Sequence, residues 1–287
     1  MEGVSPLGAK LYVVATPIGN LEDITMRGLR VLKEADVIAA EDTRHTKKLL
    51  AHFGIKTPLT SCFEHNERGK SVFLIAKLKD GTWKKAALVT DAGTPGISDP
   101  GYRLIKFAIE NGIAIVPVPG PSALITLLTV SGLPLDTFTF KGFVPTGALV
   151  KRRFFIRLKN KKETYVMYES PRRLKDTLDV IHETLGDVHC VIGREMTKLH
   201  EEILRGTVSA VKALLEDRVI KGEVTLAIRT EESSQPFEEG ITIPDELKKL
   251  LAAGLSVKDA VKAVTEATGR PRGEVYNAAL RIRAALK

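Results

Sequence analysis

The sequence predicts two α/β domains followed by a small helical module. Three observations carry this reading. Short runs rich in Val, Ile and Ala alternate with amphipathic segments. The stretch PVPGPS, at 117–122, divides that alternation in two. After Arg229 the chain turns polar and acidic before three short helical patterns. With 287 residues, 44% of them hydrophobic and 27% charged, the chain is long enough to bury more than one core.

In the first domain, expected at 1–118, residues 11–15 read as a strand, 25–34 as a helix, 37–40 as a strand and 46–52 as a helix. Residues 67–78 are helical, 87–90 a strand, 100–110 helical, and 113–116 the strand that closes the domain. Such alternation implies a mostly parallel sheet covered by crossover helices. Three prolines in five residues then hold 117–121 extended, as a crossing between domains requires. The second domain, at 119–230, repeats the pattern. A helix starts at 123, a strand spans 137–141, a helix 148–158, a strand 165–168, and a helix begins at 172. A strand at 188–194, a helix at 208–216 and a strand at 224–228 complete it. Residues 231–244 have the composition of a linker. Helices at 245–253, 256–268 and 273–286 form the last unit, which suits a helix-turn-helix variant as well as a helical cap packed on the second domain.

No apolar stretch is long enough to span a membrane, and the first residues carry neither a signal-peptide core nor a transit pattern. Cys62 and Cys190 are too few and too far apart for a disulfide framework. A cytoplasmic protein is expected. A formal charge of +8 favours a polyanionic partner. Seven basic residues and no acidic one fall in KRRFFIRLKNKK, at 151–162, and the last 47 residues carry nine basic and five acidic side chains. These runs read either as solvated faces or as contacts to RNA. For RNA, Arg152, Arg153, Arg157, Arg172 and Arg173 are the candidate phosphate contacts. Phe154 or Phe155 could stack on a base, and one of the two is expected in the core.

LVTDAGTPGISDPG, at 88–101, runs from a strand into a loop of small residues and aspartates. Without bulky side chains its backbone can approach a ligand closely. No lysine follows its glycines, so it is not a phosphate-binding loop of the P-loop kind. The earlier loop ATPIGN, at 15–20, lacks the glycines of a dinucleotide fingerprint; Pro17 stiffens it and Gly19 lets it turn. If both strands are neighbours, both loops meet at one sheet edge, where PGPSA also emerges. Ser122 there is either a helix cap or a site residue.

ATPIGNLEDIT, AEDTR, DAGTPGISDPG, PGPSA, YESPRR and REMTKLHEE follow in an order that resembles the tetrapyrrole methylase family, over residues 10–229. Within it, the likeness is to the branch acting on ribosomal RNA. The resemblance implies two α/β domains holding S-adenosyl-L-methionine (SAM) in the cleft between them, in a homodimer. The implied substrate is 16S rRNA of the small ribosomal subunit, methylated on the ribose 2′-oxygen of a cytidine, C1402. The cofactor contacts it implies are Pro17, Ala92, Gly93, Thr94, Ile97, Ser122, Ala123, Tyr168 and Met196. Where small-molecule members often have Gly-Asp-Pro, this chain has Gly93-Thr94-Pro95.

Methyl transfer from a sulfonium chiefly requires the acceptor oxygen to be placed in line. A proton acceptor assists, and Asp42, Asp99, Glu169, Glu195 and Lys198 are candidates, the carboxylates being equally suited to ion pairs with Arg44, Arg172 or Arg194. As a base, Lys198 would need a lowered pKa. Glu195, Thr197, Lys198 and Asp99 are taken as the catalytic set, with the first three orienting substrate. His45, His52, His65, His182, His189 and His200 show no metal-ligand spacing with the cysteines, and no metal is expected. Two rival readings remain: a tetrapyrrole-type small-molecule methylase, and a nucleic-acid-binding protein without catalysis.

Overall fold

The computed structural model describes residues 8–63, 66–159, 161–231, 243–252, 255–268 and 271–285. The first sheet holds β1 (Lys10–Val14), β2 (Val37–Ala40), β3 (Leu59–Ser61), β4 (Lys85–Val89) and β5 (Ala114–Val118). Between them run α1 (Met26–Glu34), α2 (Thr43–His52), α3 (Glu67–Lys79) and α4 (Tyr102–Glu110). The order is β3-β2-β4-β1-β5, and every pairing is parallel, as the alternation predicts. β4 lies between β2 and β1, so the chain reverses its direction of travel across the sheet there. That is the switch point where a crevice opens beyond the strand ends.

Local chemistry sets the helix starts. Thr25 caps α1 by accepting from the Gly28 N–H, and Asp42 caps α2 by accepting from Arg44, which moves that helix's start three residues ahead of the expected one. α4 is capped from another element. The buried Glu67 on α3 accepts from the backbone N–H groups of Gly101, Arg103 and Leu104. This ties the end of the 90–101 loop to α3.

The second half contains α5 (Ala123–Ser131), β6 (Phe138–Phe143), α6 (Ala148–Ile156), β7 (Glu163–Glu169), α7 (Leu174–Leu185), β8 (His189–Arg194), β9 (Glu202–Thr207), α8 (Val208–Leu215) and β10 (Val224–Thr230). The helix expected from 172 begins at 174, because Pro171–Arg173 forms a 3-10 turn first. The order is β6-β7-β10-β8-β9, and here the expectation of a mostly parallel sheet is corrected. Only β6 and β7 are parallel; β10 runs antiparallel to both neighbours, and β8 and β9 form an antiparallel pair. The reason is connection length, since 195–201 is too short for a crossover and turns the chain straight back. β3 and β9 are not in the sequence reading. Both are edge strands of half-buried residues, without the apolar run that marks a central strand.

Each sheet has a core on both faces, and a separate small core forms among α9 (Ile243–Ala252), α10 (Val257–Thr268) and α11 (Arg272–Ala285). Leu247, Val261, Val264 and Val275 are buried there against one another, so among the described residues this unit has a core of its own. Most of the expected linker, His65 and the end of the last expected helix lie outside the described residues. Of the paired phenylalanines, Phe155 is buried and Phe154 half-buried, as the helical spacing predicts. Lys151, in the same basic run, is not solvated. Its ammonium is buried and hydrogen-bonded to Asp176 and Thr177. Among the described residues no helix is long and apolar enough to cross a membrane.

Candidate active site between the two sheets

β1 pairs with β4 and β5, so the three small-residue loops leave one edge side by side. Thr16 and Gly93 exchange both backbone hydrogen bonds at 2.9 Å, and the Thr16 hydroxyl donates to the Thr90 carbonyl. The Thr94 hydroxyl donates to the carbonyl of Pro121, which joins the second loop to the domain crossing. Gly93 has φ +77°, a left-handed conformation that glycine adopts without strain.

A cleft of about 360 Å³ opens between the sheets. The first half contributes Ile18, Ala92, Gly93, Thr94, Ile97, Ser98 and Asp99, and the crossing contributes Ser122 and Ala123. Ser122 precedes α5 but makes no capping hydrogen bond, so of its two expected roles it takes the cleft wall. From the second half come Phe143, Tyr168 to Pro171, and Gly222 to Thr225. The Tyr168 ring meets Phe140 and Phe143 edge-on, at centroid distances of 5.0 and 5.4 Å. Seven of the nine expected cofactor residues therefore line one cleft. Pro17 lines an adjoining one of about 320 Å³, which shares Ile18, Ala92 and Glu223 with the first. Met196 lines neither. Its side chain is buried beside Leu127, with its sulfur where a Gly193 Cβ would be.

The cleft residues missed by the sequence reading include Phe143 and those at 222–225. A parallel sheet would send only strand C-termini to the crevice. Because β10 is antiparallel, Val224 pairs with Glu169 on one side and Arg194 on the other, and its N-terminal end reaches the cleft. Lys221-Gly222 before an apolar run was the available signal.

The two halves are latched by the turn at 195–201. Thr197 accepts a hydrogen bond from the Asn20 N–H at 3.0 Å, and a Cβ on Gly19 would lie 2.4 Å from Lys198 Cγ. The chain bends at Gly19 as expected, without a positive φ, and the absence of a side chain there also provides space for the other domain. Lys198 donates to Glu195 at 2.8 Å and pairs with Glu223 at 3.1 Å. Burial pulls the Lys198 ammonium down, but its hydrogen bonds to Glu195 and Glu223 outweigh this and raise its pKa, while Lys198 holds Glu195 low. Lys198 is therefore a fixed cation in the second cleft, not a base.

Glu169 is also committed. It accepts from the Thr177 hydroxyl and the Ser170 N–H, and pairs with Arg173 at 2.6 Å. Arg173, which is partly exposed, also donates to the Val144 carbonyl. Asp42 is held well below the carboxylate range by the Arg44 guanidinium. Asp99 differs. Burial, then the charges of Asp91 and Glu223, push its carboxyl up. Arg152, Arg153, Arg157 and Arg172 are exposed, Arg152 facing Glu183 at 2.7 Å. Cys62 and Cys190 sit in different cores with thiols pushed up to about 11 and about 12, mainly by burial, and neither reaches the cleft.

Residues 10–212 match the family model of Tetrapyrrole (Corrin/Porphyrin) Methylases. The chain belongs to the tetrapyrrole methylase family. It is accordingly a SAM-dependent methyltransferase. Residues 244–283 match the RsmI C-terminal HTH domain. This methylase is 47% identical over 93% of its length to Ribosomal RNA small subunit methyltransferase I of Halalkalibacterium halodurans, covering 93% of that protein. It is 43% identical over 96% of its length to the protein of the same name from Synechocystis, covering 98% of it. Its fold is that of uroporphyrin-III-C-methyltransferase from Thermus thermophilus, at a TM-score of 0.54 and 21% identity over 77% of this chain and 94% of that one.

Proposed function

We propose that this methylase transfers a methyl group from SAM to a ribose 2′-oxygen of a cytidine in 16S rRNA, C1402, of the small ribosomal subunit. The supporting observation is the pairing of a SAM-type cleft with likeness, over nearly the whole chain, to proteins named for small-subunit rRNA methylation. The division of labour is 1–118 and 119–230 around the cleft, with 245–287 joined through 231–244 as an RNA-binding unit. The protein acts in the cytoplasm as a homodimer. Support for the dimer comes from the edge strand β6, which exposes Phe138 and Phe143, and from Leu149, Val150 and Ile156 on the surface of α6.

The residues present fit the cofactor. The glycine cradle at Gly93 admits backbone contacts, the Tyr168 face offers an apolar wall, and Asp99 and Glu223 bring negative charge suited to a sulfonium cation. Bound there, SAM supplies a methyl group on an activated leaving group. Ala92, Gly93, Thr94, Ile97, Ser122, Ala123 and Tyr168 hold it, with Pro17 at the neighbouring cleft. Glu195 and Glu223 hold the Lys198 ammonium where an RNA phosphate would meet it, and Thr197 keeps that turn against the first domain. Asp99 takes the hydroxyl proton, since Lys198 is charged and Glu169 is occupied. Arg152, Arg153, Arg157 and Arg172 contact phosphates outside the cleft, and Arg173 supports Glu169.

Small subunits lacking this methyl group, incubated with the protein and methyl-labelled SAM, test the reading. Label is expected in 16S rRNA, and Arg152→Glu with Arg153→Glu should lower incorporation about tenfold or more while SAM affinity stays unchanged. Label appearing only in a tetrapyrrole would overturn it.

A further inference from the structure

The turn at 195–201 has a feature that neither cofactor binding nor the latch between domains uses. Leu199 is 93% exposed. A lone exposed leucine is ordinary on a protein surface, so exposure alone carries nothing. Its setting does. Glu195 and Thr197 hold left-handed backbone conformations at φ 49° and 66°, which cost free energy in residues other than glycine and persist only where the surroundings over-determine them. The surroundings do so here. The Lys198 N–H donates to the Glu195 carbonyl, the Glu201 N–H to the Lys198 carbonyl, and the Thr197 N–H to the Glu201 carboxylate at 2.6 Å. Asn20 fixes the turn from the other domain. A rigid, strained turn thus presents an apolar side chain to water, next to the lysine that lines the second cleft.

The charges around it are paired within the protein, Lys198 with Glu195 and Glu223, and Arg194 and Arg218 with Glu202, so the partner follows from the rRNA reading and not from local charge. Lys198 and His200 flank Leu199 in the chain, and His200 shares a cavity of about 240 Å³ with Arg194, Arg218 and Lys221. The nearby carboxylates are turned to partners within the protein. Glu195 and Glu223 bind Lys198, Glu201 binds the Thr197 backbone, and Glu202 binds Arg194 and Arg218. A ribose hydroxyl in stacked RNA cannot enter a cleft between two domains unless its nucleotide is displaced, and apolar wedges between bases are a means of displacing it.

We propose that Leu199 is an RNA wedge, inserted beside the acceptor nucleotide to hold it out of its stack while Lys198 meets the adjoining phosphate. This rests on the rRNA reading above. The test compares wild type, Leu199→Ser and Leu199→Met on small subunits lacking the methyl group. Serine removes the apolar wedge without adding charge, and methionine restores it. The expected result is a fall in kcat/KM of about tenfold or more for the serine variant and recovery to within about threefold for methionine, with SAM affinity and melting temperature unchanged in both. A serine variant as active as wild type overturns the proposal. So does one that loses SAM affinity, or one that dissociates into smaller species, which would make Leu199 a contact of the fold or of a second copy. If wild type itself transfers no methyl group to rRNA, it is the rRNA reading that has failed.

Discussion

Asp99 is the carboxylate of the cleft that remains available as an acceptor, and its environment makes a sharp demand. Burial and the charges of Asp91 and Glu223 raise its pKa in the folded chain. A raised carboxyl pKa means that the ionised form costs folding free energy. That cost is complete above the folded-state pKa and vanishes below about pH 4, where the group is protonated in both folded and unfolded chains. Asp99→Asn should therefore melt at a higher temperature than wild type at pH 7, with the difference closing as the pH falls toward 4. Methyl transfer should fall in the same variant, as the proposed role of Asp99 in taking the hydroxyl proton requires. Scanning calorimetry at several pH values measures the first effect. A difference that widens on acidification would count against the assignment.

At the scale of elements, the strained turn between β8 and β9 and the start of β10 form one assembly. The Glu223 N–H donates to the Glu195 carboxylate at 2.9 Å, and the Glu195 N–H donates to the Glu223 carbonyl at 3.0 Å. Gly222 has φ +89°, and a Cβ there would lie 2.3 Å from the Glu195 carboxyl carbon. Gly222→Ala should cost about 1–2 kcal/mol for the backbone alone, read by denaturant unfolding, and should free Lys198 from Glu195, lowering the rate of transfer to RNA. A variant of unchanged stability and rate would show that the assembly does not matter. This is also where the sequence is least legible. The parallel first sheet and its three converging loops follow from alternation and small-residue composition, while Ala92, Gly93, Thr94 and Ser122 as cofactor contacts come from the family resemblance. The direction of β10 depends on a short connection between half-buried strands, which alternation does not encode, so Gly222 to Thr225 went unread. Met196 came from the family resemblance, and its burial against Leu127 is a packing outcome that a motif match does not determine.

At the scale of the molecule, two sheets with separate cores meet along loops, and the cleft exists only because both supply walls. The fold likeness to a uroporphyrin methyltransferase spans 77% of the chain, while the likeness to rRNA methyltransferases spans 93–96% and extends through the basic helical module. The added length is the helical module proposed as an RNA-binding unit, alongside the arginines of the second domain. Half of the net charge of +8 lies in the last 47 residues. The central claim is that the small-residue loop after β4 forms the cofactor cradle, and calorimetric titration of SAM into wild type and Gly93→Val tests it most directly. A β-branched residue at φ +77° removes the backbone approach that the cradle requires. Saturable binding of one SAM per chain is expected for wild type, weakened about tenfold or more in the variant while thermal unfolding remains cooperative. Equal affinity in the two proteins, or no binding to wild type, would contradict the account.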